Sequence, residues 1–375
     1  MATFPQIHRA RSAYFWSRAQ HLACVDRLAP SVSDLYSAIG SAAFTVNFPC
    51  KISIGPIQCE YWRMGSRLMN KGGIIMGIIR IKQVDAFTDR LFGGNPAGVV
   101  TSAGSLGEKE MQLIAREMNL SETAFIEPSD KADFKVRFFT PNSEVDLCGH
   151  ATIGSFYALN EEGCLDPDRS VFTQETRAGV LEVERSFVEG RPVFMMTQAK
   201  PRFKDIGASR REIAGILRID ESELLEADPL NVSTGIWWFV VGLKHLDTVR
   251  KLKPDLQAMS DLSGRHGMTG FIPFCLETVE PEADFHMRAF APLVGISEDP
   301  VCGTGNGCAG AFIAHHGLVE FKETTDLVSE AGFEVHRPGQ VMVSLQRENG
   351  KVSRVKVGGT AVTVMEGEMR FQDRG

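Results

Sequence analysis

The sequence predicts an α+β protein built as two similar halves that arose by internal duplication. Three observations lead there. Short stretches alternate apolar and polar residues between turn residues, as strands do; helical periodicity appears between them; and one strand, loop, Cys-Gly, helix order occurs twice.

The elements follow in order from Met76. Ile79 to Phe87 alternates and reads as a strand, and Gly93-Gly94-Asn95-Pro96 is a turn signature. Glu108 to Met118 sets Met111, Ile114, Ala115 and Met118 on one helical face. Phe134–Phe139 is a strand stopped by Pro141, and Gly149–Glu161 a helix beginning with small residues. Short strands follow at Val171–Thr173, Gly179–Glu184 and Val193–Gln198. A polar, helical connector over Pro201–Ala227 divides the halves. The second half repeats the theme, with strands at Ile236–Val241 and Asp284–Ala289 and a helix over Gly303–His316. Two closing strands are expected at Gln340–Arg347 and Val352–Val364.

The duplicated motif is specific. Arg137-Phe-Phe139-Thr-Pro141 is followed, seven residues on from Pro141, by Cys148-Gly149-His150. Arg288-Ala-Phe290-Ala-Pro292 is followed, ten residues on from Pro292, by Cys302-Gly303-Thr304-Gly305. An acid precedes each cysteine, Asp146 and Asp299. A helix N-terminus presents unpaired N–H groups and the positive end of the helix dipole. Small residues at Gly149, Gly303 and Gly305 let a ligand approach that backbone, so two such termini facing each other suit a carboxylate. Cys148 and Cys302, each at a helix N-terminus, are expected to have lowered pKa values and to serve as thiolate bases. Two such groups on opposite sides of a carbon could remove and return a proton, the geometry of racemisation, epimerisation or a proton-shift isomerisation.

Composition excludes other classes. At 43% hydrophobic and 23% charged, with a net charge of −7, the chain suits a globular protein without a nucleic-acid partner. No apolar run reaches the roughly 18 to 20 residues needed to cross a bilayer. Eight cysteines are too sparse for a disulfide scaffold, so free thiols in a reducing, cytoplasmic setting are expected. Residues 1–75 differ from the rest, with eight Lys and Arg against three acids. They read either as a start-site extension without a fold of its own or as a mitochondrial transit peptide. The expected division is thus 1–75 as an extension, 76–200 and 201–350 as lobes, and 351–375 as a terminal strand returning toward the first lobe.

Several motifs make the chain resemble the PhzF phenazine-biosynthesis family of the diaminopimelate epimerase-like superfamily. They are Val84-Asp85-Ala86-Phe87 leading to Gly94-Asn95-Pro96-Ala97, Leu120-Ser121-Glu122-Thr123-Ala124-Phe125, Asp146-Leu-Cys148-Gly149-His150-Ala151-Thr152, Glu298-Asp299-Pro300 and Val357-Gly358-Gly359. The resemblance implies lobes that are each a β-barrel-like sheet around a central helix, with the site between them, and a homodimer. It places an acid/base glutamate on Glu122, a histidine on His150, an aspartate on Asp299 and a hydroxyl donor on Thr304. One departure is informative: the paired cysteines look like those of proline racemase and diaminopimelate epimerase, not of the phenazine isomerase.

The function expected is a cofactor-independent isomerase acting on a small carboxylate. Glu122, Cys148, Cys302 and Asp299 are the catalytic candidates; Gly149, His150, Gly303, Thr304 and Gly305 are the substrate-binding ones. A two-cysteine epimerase, a dehydratase and a non-catalytic binding protein stand as alternatives. No metal is expected. Cys148-x-His150 with Cys302 and Cys308 imitates a zinc set but lacks zinc-like spacing. Gly303-Thr304-Gly305-Asn306-Gly307 lacks the spacing of a dinucleotide loop. The pair His315-His316 is expected to serve the dipole at a helix end.

Overall fold

In the computed structural model, residues 67–69 and 75–372 are described. The extension expected over residues 1–75 lies outside them, apart from Ile75 and the short strand Arg67–Met69, which pairs with the start of strand Ile75–Ala86. Six α-helices occur among the described residues: α1 (Glu108–Met118), α2 (Gly149–Glu161), α3 (Arg210–Leu217), α4 (Leu246–Lys251), α5 (Leu256–His266) and α6 (Gly303–His315). Two of them, α2 and α6, are apolar on every side and buried along their length, as central helices must be.

Each central helix is wrapped by strands in the same order. Around α2, strand Ile75–Ala86 pairs antiparallel with Asn95–Val100, which runs parallel to Glu122–Glu127. The sheet continues through Phe134–Phe139, parallel to Val171–Thr176, and then the meander Gly179–Val188 and Arg191–Thr197. Around α6 the equivalents are Leu230–Ser233, Trp237–Gly242 parallel to Gly270–Cys275, Phe285–Met287 parallel to Thr324–Ala331, Gly339–Glu348 and Lys351–Gly359. A helix crosses over between the first parallel pair of each lobe: α1 in the first, α4 and α5 in the second. The duplication read in the sequence is therefore complete at the level of topology.

The lobes exchange strands. After Arg191–Thr197 the chain crosses to form Arg202–Lys204 against Leu230–Ser233 of the second lobe. After Lys351–Gly359 it crosses back to form Ala361–Gln372 against Ile75–Ala86 of the first. The last strands of the two lobes, Arg191–Thr197 and Lys351–Gly359, also pair with each other. Backbone hydrogen bonds thus join the lobes, and their central helices are held by a shared sheet.

The repeated Arg-x-Phe motif has a structural meaning. Arg137 grips Glu144 with Nε and Nη2 at 2.8 Å each and lies 5.2 Å from the Phe139 ring centre. Arg288 grips Glu298 at 2.8 and 2.7 Å and lies 4.8 Å from the ring centre of Phe290. Bidentate pairs of this kind fix geometry as well as adding energy. Each clamps the strand of its motif to the loop that carries the next cysteine.

Several sequence expectations change. The connector over 201–227 holds a strand and the amphipathic α3, whose N-cap Ser209 accepts from Glu212 N–H. The last expected strand is two strands that part at Thr360, where the chain changes lobes. The strand expected over Asp284–Ala289 is interrupted into Phe285–Met287 and Ala289–Ala291. No helix among the described residues is long and apolar enough to cross a membrane.

Candidate active site

Cys148 and Cys302 are the N-cap residues of α2 and α6, each in extended backbone and each followed by a 13-residue helix. Their carbonyls are held alike, from the residue four positions on: Thr152 Oγ1 donates to Cys148 O at 2.8 Å, and Asn306 Nδ2 to Cys302 O at 2.8 Å. Both cysteines are buried, in one continuous core shared by the lobes.

The side chain two positions after each cysteine turns back to the sulfur. In the first lobe, His150 Nδ1 lies 3.4 Å from Cys148 Sγ. Its Nε2 lies 3.4 Å from Glu122 Oε2 and 3.3 Å from Ser121 Oγ. The hydrogen bond at Nε2 is the one with Ser121 Oγ, while Glu122 makes a charge contact there; at Nδ1 the ring and the thiol share a hydrogen bond whose direction follows the tautomer. The imidazole thus stands between Cys148 and Glu122, within 3.4 Å of each. In the second lobe, Thr304 Oγ1 lies 3.5 Å from Cys302 Sγ, and the sulfur also accepts from Gly305 N–H at 3.4 Å.

Asp299 joins the two halves of the site. It ends strand Ile296–Asp299, and its Oδ1 accepts from Asn95 Nδ2 of the first lobe at 2.7 Å. Asn95 also donates to Val301 O at 3.0 Å and is 2% exposed, so it is a buried rivet between lobes. Burial pushes the Asp299 carboxyl above the usual carboxylate range; nearby His150 opposes the rise and Glu122 adds to it. The other acid of the repeat behaves differently: Asp146 stands in solvent beside Arg177 and takes no part in this cluster.

The thiols correct an expectation. Burial, then the nearby Glu122 carboxylate, pushes the Cys148 thiol well above its ordinary value; burial and Asp299 do the same to Cys302. Desolvation of sulfur outweighs the helix dipole, so neither cysteine rests as a thiolate near neutral pH.

The duplication is asymmetric where chemistry is concerned. Glu122 is the first residue of its parallel pair, opposite Ala97, and the equivalent pair in the second lobe sets Gly270 opposite Trp238. A Cβ at Gly270 would lie 1.9 Å from Phe290 O, so that place cannot carry any side chain. The ligand-approach glycines also differ. A Cβ on Gly149 would meet nothing within 4 Å, whereas one on Gly303 would touch the Phe87 ring at 3.1 Å and one on Gly305 would press on Ile272 at 2.6 Å. The α2 terminus is therefore the open one, and Gly305 serves packing.

Glu122, Cys148 and His150 form a trio whose ligand atoms lie within 4.8 Å of one another. Cys148 Sγ lies nearer to His150 Nδ1, at 3.4 Å, than to Nε2, at 4.0 Å, and Glu122 Oε2 lies 3.4 Å from Nε2. Cys308 lies apart, its thiol donating to Val232 O at 3.4 Å and contacting Thr234 Oγ1, so the four-residue zinc imitation is not assembled. His315 stacks on Phe203 with ring centres 4.3 Å apart.

The structure gathers the sequence candidates Glu122, Cys148, His150, Asp299, Cys302 and Thr304 into one region of side chains, with partners that the sequence did not point to. Asn95 read as a turn residue within one motif, and Ser121 as part of another. Trp238 gave no signal beyond an apolar strand.

Comparison with known proteins shows the family and the fold. The family described as phenazine biosynthesis-like protein matches residues 84–367. A Bacillus subtilis relative named uncharacterized isomerase YfhB is 38% identical over 75% of this chain and 95% of its own length. The crystal structure of the Bacillus anthracis phenazine biosynthesis protein of the PhzF family superposes with a TM-score of 0.73 at 36% identity, covering 78% of this chain and 99% of that one. A hydroxyproline epimerase from Agrobacterium vitis, 14% identical with a TM-score of 0.52 over 80% of this chain and 92% of its own, shares the fold.

Proposed function

The chain belongs to the phenazine biosynthesis-like family and is an isomerase of that family, and from that premise we propose that it moves a proton between carbons of a small carboxylate-bearing substrate, without a cofactor, with Glu122 as the acid/base group. The observation that carries this reading is the Glu122–Gly270 asymmetry: one lobe supplies a carboxylate beside His150 at the α2 terminus and the other excludes any side chain at the equivalent place. A single carboxylate that takes a proton from one carbon and delivers it to another suits a proton shift, whereas stereoinversion asks for two matched groups on opposite faces.

In this reading the substrate carboxylate sits at the open first turn of α2, against Gly149, where backbone N–H groups and the helix dipole favour an anion. His150, with Nε2 3.4 Å from Glu122 Oε2, responds to the charge of that carboxylate as the proton moves. Asp299, whose carboxyl burial pushes up, and the Thr304 hydroxyl supply polar contacts from the second lobe.

A second reading has its own observation. The two cysteines are matched N-caps with matched carbonyl supports, which favours a two-thiol epimerase; the thiols' raised values count against it. Incubation in D2O with a panel of amino acids and cyclic carboxylates separates the two. A proton-shift isomerase places deuterium at a new carbon and loses exchange in Glu122→Gln while Cys148→Ser and Cys302→Ser retain it. Exchange confined to the original carbon and lost in both serine variants would establish the epimerase. No exchange with any candidate, together with unaltered cellular function in all three variants, would make the chain a binding protein.

A further inference from the structure

Trp238 is 2% exposed and sits opposite Gly270, at the place Ala97 occupies opposite Glu122 in the first lobe. Its indole Nε1–H donates to Thr304 Oγ1 at 3.1 Å. The two lobes therefore carry two versions of one relay. In the first, Cys148 meets His150, which bonds Ser121 and lies 3.4 Å from Glu122; in the second, Cys302 meets Thr304, which is held by Trp238.

The chemistry of the second relay follows from donor counting. An indole N–H can only donate, so the Thr304 oxygen is the acceptor. A threonine hydroxyl has one proton. With one lone-pair direction taken by Trp238, that proton turns to the remaining directions, of which one faces Cys302 Sγ at 3.5 Å. The sulfur already accepts from Gly305 N–H. We propose that Trp238 is a positioning residue that, through Thr304, aims a second hydrogen-bond donor at Cys302 and so sets the reactivity of that thiol. Two donors favour a sulfur bearing negative charge, and Asp299, the charged side chain set against Cys302, opposes it.

The inference draws its catalytic meaning from the cleft described above, but its test needs no substrate. The full chain is alkylated with iodoacetamide across pH 7 to 10, and the rate at Cys302 is read by peptide mass spectrometry with Cys148 as internal reference. Loss of one hydrogen bond of ordinary strength corresponds to about a five-fold change. Trp238→Phe and Thr304→Val should each slow Cys302 by about that factor and move its pH profile upward, leaving Cys148 unchanged. Thr304→Ser should match the parent. The double variant should be no slower than Thr304→Val alone, because Trp238 acts only through that hydroxyl. An unchanged profile in Trp238→Phe, or factors that multiply in the double variant, would overturn the proposal. Should Trp238→Phe lose its fold by circular dichroism, the threonine pair decides: slowing in Val with parent behaviour in Ser supports the relay, and equal rates in the two overturn it.

Discussion

Asn95 Nδ2 reaches across the lobe boundary to Asp299 Oδ1 at 2.7 Å, and the same amide holds Val301 O at 3.0 Å. One buried side chain thus ties the acid of the second lobe, and the loop leading to Cys302, to the first lobe. Asn95→Ala leaves both acceptors without this donor. An unsatisfied buried polar group costs about 1 to 3 kcal/mol, so the variant should shift the urea midpoint down by a corresponding amount. Asn95→Asp should be worse, because it sets a carboxylate against a carboxylate and raises Asp299 further. Equal stability of the two variants would remove the electrostatic part of this account.

Glu122→Gln keeps the size of the side chain and removes its basicity. Proton transfer by a positioned side chain contributes about a hundred- to ten-thousand-fold, and solvent deuterium exchange with a turned-over substrate should fall by that order while the circular dichroism spectrum is unaltered. Glu122→Asp should fall between, since the shorter arm draws away from His150 Nε2 at 3.4 Å. Full exchange in Glu122→Gln would sink the carboxylate mechanism.

The two approach glycines predict different outcomes. Gly149→Ala adds a methyl that meets nothing within 4 Å, and alanine is the better helix former by about 1 kcal/mol. The variant should melt at or above the parent temperature yet bind a carboxylate substrate more weakly, read as a raised KM, because the methyl enters the space in front of the α2 terminus. Gly303→Ala presses on Phe87, whose own backbone is left-handed at φ 64° and hydrogen-bonded to Thr360 and Gln340. It should lose stability. A destabilised Gly149→Ala with unchanged KM would mean that α2 does not face the ligand.

Much of this was legible because it repeats. Arg137 and Arg288, and Cys148 and Cys302, stand at matching points of a duplicated order, and a repeat that long reports one supersecondary unit used twice. The strand exchange was legible only in part. The sequence suggested that the last segment returns toward the first lobe, but Arg202–Lys204 carries no residue that says which lobe it joins, because pairing partners distant in sequence are chosen by the assembled sheet. Helix α5 was missed because Leu256–His266 places only Met259, Leu262 and Ser263 in the interior, too thin a stripe to stand out from polar neighbours. The thiols were misjudged because the dipole is visible in sequence as a helix start, whereas the burial that overrides it is visible only in the fold. Trp238 was overlooked for a related reason: its indole N–H has meaning only once Thr304 is set beside it.

Burial of thiols also makes stability depend on pH, with a sign that can be worked out. Cys308, inside α6, is pushed up to about 11 from an ordinary 9.0, with desolvation as the main cause. The folded state keeps a proton that the unfolded chain releases above pH 9, so the stability from this group is fully present below pH 9. It declines as pH rises through about 11, at about 1.4 kcal/mol per pH unit for one thiol. Cys275, pushed up to about 12, acts in the same direction over a longer range. Urea denaturation at pH 8, 9.5 and 10.5 should show a falling midpoint in the parent chain. Cys308→Ala should start lower, because it gives up the contacts to Val232 O and Thr234. Its midpoint should then fall less steeply, so that the two chains converge at alkaline pH. Parallel curves would mean that Cys308 ionises as readily in the fold as outside it, and would undercut the same burial argument for Cys148 and Cys302.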